Sequence, residues 1–127
     1  MGVLQGASGL LESQQGICAM KIAEDDIGKA LTYLAESAKA WSEAKGLRVW
    51  LEESTKSIKS AVMLESGRTT VAEREAEAYS SQAYKDHIKK LRDAVQNEEL
   101  IKAYRAAAET RIMCWRTLEA TKRAENV

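Results

Sequence analysis

The stretch Leu64-Glu65-Ser66-Gly67-Arg68-Thr69-Thr70-Val71-Ala72-Glu73 decides the fold, because one long helical pattern stops before it and another starts after it. Ser66-Gly67-Arg68-Thr69 has the composition of a turn. Thr70 and Glu73 then stand at capping-box spacing, in which each side chain satisfies the other residue's backbone N–H. Upstream, one stripe runs Ile27, Leu31, Leu34, Ala38, Trp41, Ala44, Leu47, Leu51, Ser54, Ile58, Ala61. Downstream, a second runs Tyr84, Ile88, Leu91, Val95, Glu98, Ile101, Tyr104, Ala108, Ile112, Trp115, Leu118. Steps of three and four alternate, as one helix face requires. Near Ala44–Leu47 and near Glu98–Ile101, steps of three follow one another, which predicts a stammer, a local overwinding, in each helix. Both slips lie equally far from the turn, so a chain folded back at Gly67 sets them side by side. The predicted fold is all-α: a long antiparallel helical hairpin, coiled-coil-like and oligomeric, over residues 23–127 with its turn near 66–70.

Outward from the turn, the remaining boundaries follow from local chemistry. Glu24-Asp25-Asp26 places negative charge where a helix N-terminus favours it. Gly46 is a weak point inside the first helix and predicts a kink or a break there. Ser80-Ser81 predicts the end of a short helix and the start of a final one from Gln82 to about Ala124, roughly 65 Å long at 1.5 Å per residue. Lys122 and Arg123 then suit its negative end. Four of the seven glycines fall in the first 16 residues. Residues 1–22 therefore read as a mobile N-terminal tail in which Val3, Leu10 and Leu11 could dock on a partner or on the body.

Composition narrows the function classes. The 127 residues contain no proline and no phenylalanine, and their nineteen basic and nineteen acidic side chains cancel. No global charge draws the chain to nucleic acid or membrane. Locally the balance shifts: residues 45–68 hold five basic against three acidic side chains, and residues 82–127 hold ten against seven. Cys18 and Cys114 are too few for a disulfide framework and match no zinc spacing, so both are expected reduced in an intracellular protein. No run is apolar enough for a secretory signal or a membrane span, which makes the cytoplasm the expected location.

Catalytic chemistry finds little support. His87, the one histidine, is followed by no nucleophile at helical spacing and is expected at the surface. Glu-x-x-His pairs are missing, as are phosphate-cradling glycine loops, so no metal and no cofactor is expected and the chain is not read as an enzyme. The cations carry more. Lys85, Lys89 and Arg92 follow i, i+4, i+7 spacing, and Lys56 and Lys59 come to the same end of a hairpin folded at Gly67. Such a cluster can track a phosphate backbone, with Tyr79 or Tyr84 offering a ring for a base. Trp41, Trp50, Tyr104, Ile112 and Trp115 are the candidates for packing between helices or copies.

Residues 45–124 also carry a resemblance. Trp50-Leu51-Glu52-Glu53-x-x-Lys56-x-x-Lys59-x-Ala61-x-Met63 resembles the first half of small helical proteins encoded in tailed phages near recombination and replication genes. Glu73-Arg74-Glu75-x-x-Ala78-Tyr79, Leu91-x-x-Ala94-Val95-x-x-Glu98-Glu99 and Ala108-x-x-Arg111-Ile112-x-x-Trp115-Arg116-x-x-Glu119-Ala120 resemble the second. The layout is distantly similar to the recombination mediator of T-even phages, and Lys56, Lys59 and Arg68 fall where its DNA-contacting segment lies. The resemblance implies a homo-oligomer that binds single-stranded DNA and a recombinase or single-strand-binding protein in the host cytoplasm. The alternative expectation is a helical interaction module, or a phage-encoded inhibitor of a host protein, without nucleic-acid binding.

Overall fold

A computed structural model describes residues 22–126, and these are all α-helical apart from short connections. Helix α1 spans Glu24–Glu65, α2 Val71–Ser80 and α3 Gln82–Glu125. Residues 1–21, with the docking positions Val3, Leu10 and Leu11, lie outside the described residues.

Each helix boundary has a local cause. At the start of α1 the Asp26 carboxylate accepts from the backbone N–H of Ala23 at 3.1 Å, satisfying a donor that the helix cannot. Helix α1 runs through Gly46 without the expected break. Gly46 faces solvent, and a Cβ there would meet nothing within 4 Å. Thr70 caps α2 by accepting from Glu73 N–H at 3.2 Å. The turn before it uses no left-handed glycine. Its shape comes from the Ser66 hydroxyl, which accepts from Arg68 N–H at 3.2 Å and donates to Glu77. The expected break at Ser80-Ser81 is present: Ser81 is extended at φ −69 and ψ 150. It serves both helices, donating from N–H to Ala78 O and accepting from Tyr84 N–H at 3.2 Å.

Burial corrects the predicted stripes. In α1 the sheltered face runs Ile27, Ala30, Leu34, Ser37, Trp41, Ala44, Arg48, Leu51, Thr55, Ile58, Val62. In α3 it runs Tyr84, His87, Leu91, Ala94, Glu98, Ile101, Arg105, Ala108, Ile112, Trp115, Glu119. Steps of three and four alternate strictly in both, the spacing of a heptad face. Neither helix slips phase in its sheltered face. The predicted stammers follow the apolar neighbours Leu47 and Tyr104, whereas Arg48 and Arg105 take the inward positions. Leu47 is 49% exposed, while the Arg48 side chain is 24% exposed.

The described residues form two compact units. In one, residues 38–102, the antiparallel hairpin closes around polar layers. Arg48 donates to Glu98 through Nε and Nη2, and its Nη1 donates to Glu52 at 2.9 Å. His87 donates from Nε2 to Leu51 O at 2.7 Å, with Thr55 Oγ1 at 3.0 Å. In the other unit, residues 22–37 and 103–126, Arg105 Nη1 donates to Leu34 O and to Ser37 Oγ, both at 2.7 Å. Tyr33 and Tyr104 meet edge-to-face there, 6.5 Å between centroids. Cys114 is buried and disulfide-bonded rather than a free thiol, which corrects the reduced state expected of it. Cys18, the only other cysteine of the chain, lies outside the described residues.

Two stability measurements check this description. Replacing Gly46 with Ala should raise stability by about 1 kcal/mol, since only helix propensity changes at an open solvent-facing site. Arg48→Met should lower the unfolding midpoint by stranding the Glu98 carboxylate, and adding Glu98→Leu should recover most of the loss. Independent, additive losses in a urea titration would refute the seam pair.

Candidate nucleic-acid interface

In an antiparallel heptad pair, the residues just outside the seam divide into two flanks. With Arg48, Thr55, Leu91 and Glu98 as first positions of their heptads, the residues just after each first and each fourth position share one flank. Those just before each first position, and those two after it, share the other. The Tyr33–Tyr104 contact, between residues just before Leu34 and Arg105, fits this pairing.

Within residues 38–102 the two flanks differ in chemistry. One carries Lys45, Lys56 and Lys59 from α1 and Lys85, Arg92 and Lys102 from α3, against the acids Glu52 and Glu99. Glu52 is already engaged by Arg48. The other carries Leu47, Trp50 and Leu64 from α1 and Leu100 from α3, all exposed, Trp50 at 64%, together with the charged Glu43, Asp86, Lys90 and Asp93. A predominantly basic flank, with exposed Val49 and Ile88 among its cations, and a flank of mixed charge that exposes four large apolar side chains are the chief functional features of this unit.

The predicted site residues fall into three environments. Lys56, Lys85 and Lys89 are exposed and make no ion pair among the described residues. Arg92 is exposed and pairs with the adjacent Asp93 at 3.3 Å, a weak surface contact. Arg68 is exposed in the turn, where its carbonyl accepts from Arg74 Nε at 2.8 Å. Lys59 is different. Its ammonium lies 4.7 Å from the Tyr79 ring centroid and 3.4 Å from Glu75. The Tyr79 hydroxyl first, and Glu75 after it, hold the Lys59 ammonium above the ordinary lysine range. Tyr84 meets Tyr79 edge-to-face at 5.2 Å, leaving Tyr79 half exposed. Lys59 therefore helps to hold α2 on α1 and orients an accessible ring.

Of the predicted packing residues, Trp41, Ile112 and Trp115 occupy seam positions, whereas Trp50 and Tyr104 lie outside the seam and are exposed. His87, expected at the surface, is 7% exposed and bonded to the α1 backbone. Its position four before Leu91 and three after Tyr84 is a seam spacing, the signal that could have placed it. Ser37, Thr55, Arg48 and Arg105 carry the same spacing, but a stripe drawn through apolar residues passes them by. Glu98 and, to a smaller extent, Glu52 hold Arg48 charged well beyond the ordinary range.

Among the described residues no three His, Cys, Asp or Glu side chains converge as a metal site would require. No described helix is long and apolar enough to cross a membrane. No known protein family matches the chain, and no similar curated protein or solved structure was found.

Proposed function

We propose that this chain is a non-enzymatic accessory protein of phage type that binds single-stranded DNA as a helical homo-oligomer, assisting recombination or replication in the host cytoplasm. The observation that carries the reading is the basic flank of residues 38–102, where Lys45, Lys56, Lys85 and Lys102 share one side and form no ion pair among the described residues. Exposed cations in a row meet a phosphate backbone by releasing its counterions, and the half-exposed Tyr79 ring offers a base a stacking surface. The apolar flank with Leu47, Trp50 and Leu100 supports self-association, since exposed apolar stripes of this kind mark interaction surfaces. A recombinase or single-strand-binding protein is the further partner this reading implies. A disulfide is rare in a reducing cytosol, so the oxidation state of Cys114 in cells bears directly on the location.

The same apolar flank favours a second reading, a module that binds a host protein and no nucleic acid. Two measurements separate them. Anisotropy of a labelled oligonucleotide should show binding that weakens steeply with salt. Lys56→Ala/Lys85→Ala should then flatten the log–log salt slope by roughly 0.7 for each phosphate no longer neutralised. Absence of binding at any salt defeats the DNA reading and leaves the interaction module. Light scattering should give a molar mass that is a multiple of 14.1 kDa. Trp50→Glu should return it to one chain, while a monomer in the unaltered protein removes the case for self-association.

A further inference from the structure

A groove of about 280 Å³ lies in the unit formed by residues 22–37 and 103–126, well apart in sequence from the basic flank. Lys29, Ala30 and Tyr33 line it from α1, and Tyr104, Ala108 and Arg111 from α3. Small alanines at the seam leave the floor open, and the two tyrosines form its aromatic wall. Their rings are edge-to-face at 78°, a favourable arrangement that fixes both. Tyr104 nevertheless remains 58% exposed, so ring surface is still available.

The cations are placed with a direction. Lys29 lies one helical turn before Tyr33, and Arg111 lies two turns after Tyr104 on the same face. Because α1 and α3 run antiparallel, both cations come to the same side of the tyrosine pair. Arg111 is exposed and makes no ion pair among the described residues. Lys29 is 3.9 Å from Asp25, and both side chains are largely exposed, an arrangement that restrains the ammonium little. An aromatic surface with positive charge on one side suits a ligand that joins a planar ring to an anion. A groove of this volume is at the small end for organic ligands and too small for a partner helix.

From this we infer that the groove is a nucleotide subsite, in which a base stacks on Tyr104 and its phosphate is held between Lys29 and Arg111. The inference rests on the single-strand reading above for its role, as a contact additional to the basic flank. The same chemistry is offered by a free nucleoside monophosphate, so the test carries both.

The full-length protein is irradiated with an oligonucleotide containing 5-iododeoxyuridine, and the cross-linked peptide is identified by mass spectrometry. In parallel, thymidine monophosphate is titrated against the ring proton resonances of the tyrosines. A cross-link at Tyr33 or Tyr104 is expected. Tyr104→Ala should weaken oligonucleotide binding about tenfold, the usual effect of losing one base stack, and Tyr104→Phe should retain it. Arg111→Gln should weaken binding and flatten the salt slope without changing the thermal midpoint. If the oligonucleotide binds but cross-links only at Tyr79 or Tyr84, and Tyr104→Ala binds normally, the subsite is overturned while the single-strand reading stands. If only the monophosphate shifts the Tyr33 and Tyr104 resonances, the subsite stands and the strand reading falls. Silence in both arms overturns both.

Discussion

A buried carboxylate must find a cation, and in this chain that demand falls on Glu98. At 7% exposure it is too sheltered to be solvated by water, and an unpaired charge in such a place is costly. Arg48 meets it with two nitrogens and uses a third on Glu52, so one guanidinium joins α3 to α1 and braces itself along α1. Moving either helix by one heptad would leave Glu98 against Trp41 or Thr55 in the seam. The pair therefore selects the register of residues 38–102, and other polar layers agree with it. His87 can donate to Leu51 O only in the same alignment, and Lys59 reaches Tyr79 and Glu75 on α2 only when the turn is closed. Polar residues at seam positions are known to fix alignment in helical pairs at some cost in stability.

The cost is visible in what surrounds these layers. Ala30, Ala44, Ala94 and Ala108 fill buried seam positions, and Ile27 and Leu51 are the only buried branched aliphatic side chains among the described residues. Alanines allow close helix approach but bury little apolar surface, and apolar burial is the main favourable term in folding. Several large apolar side chains lie exposed outside the seam, at Leu47, Trp50, Leu64 and Leu100, while Trp41 and Trp115 at seam positions are only partly covered. A seam that takes in arginine and glutamate while Trp50 stays outside leaves apolar surface that the hairpin's own interior does not use.

Much of this is legible in the residues. The all-α class, the capping of α2 by Thr70, the break at Ser81 and the acidic start of α1 each follow from a short-range rule that tertiary packing does not override. The seam is harder, because hydrophobicity alone is a poor mark of an inward position here. At residues 47–48 and 104–105 the chain offers an apolar side chain beside a charged one, and spacing, rather than polarity, tells which turns inward. Strict alternation of three and four selects Arg48 and Arg105. The same criterion draws in His87, Thr55 and Ser37. For the candidate site, the exposed Lys56, Lys85 and Lys89 can be read from charge alone. The engagement of Lys59 by Tyr79 and Glu75 cannot, since it depends on how α2 folds back after the turn. The disulfide-bonded state of Cys114 is hidden for a different reason: a cysteine with no second cysteine near it in sequence carries no spacing signal.

The polar seam also has a consequence for how the surfaces are used. In a hairpin held only by aliphatic side chains, small rotations of either helix cost little, and flank residues drift between sides. Directional bonds from Arg48 to Glu98 and from His87 to the Leu51 carbonyl resist such rotation, because each fails at a modest misalignment. Lys45, Lys56, Lys85 and Lys102 are then kept on one side and Leu47, Trp50 and Leu100 on the other. That separation is kept by directional bonds rather than by a deep core. Stability given up inside the seam is exchanged for a fixed division of its two flanks.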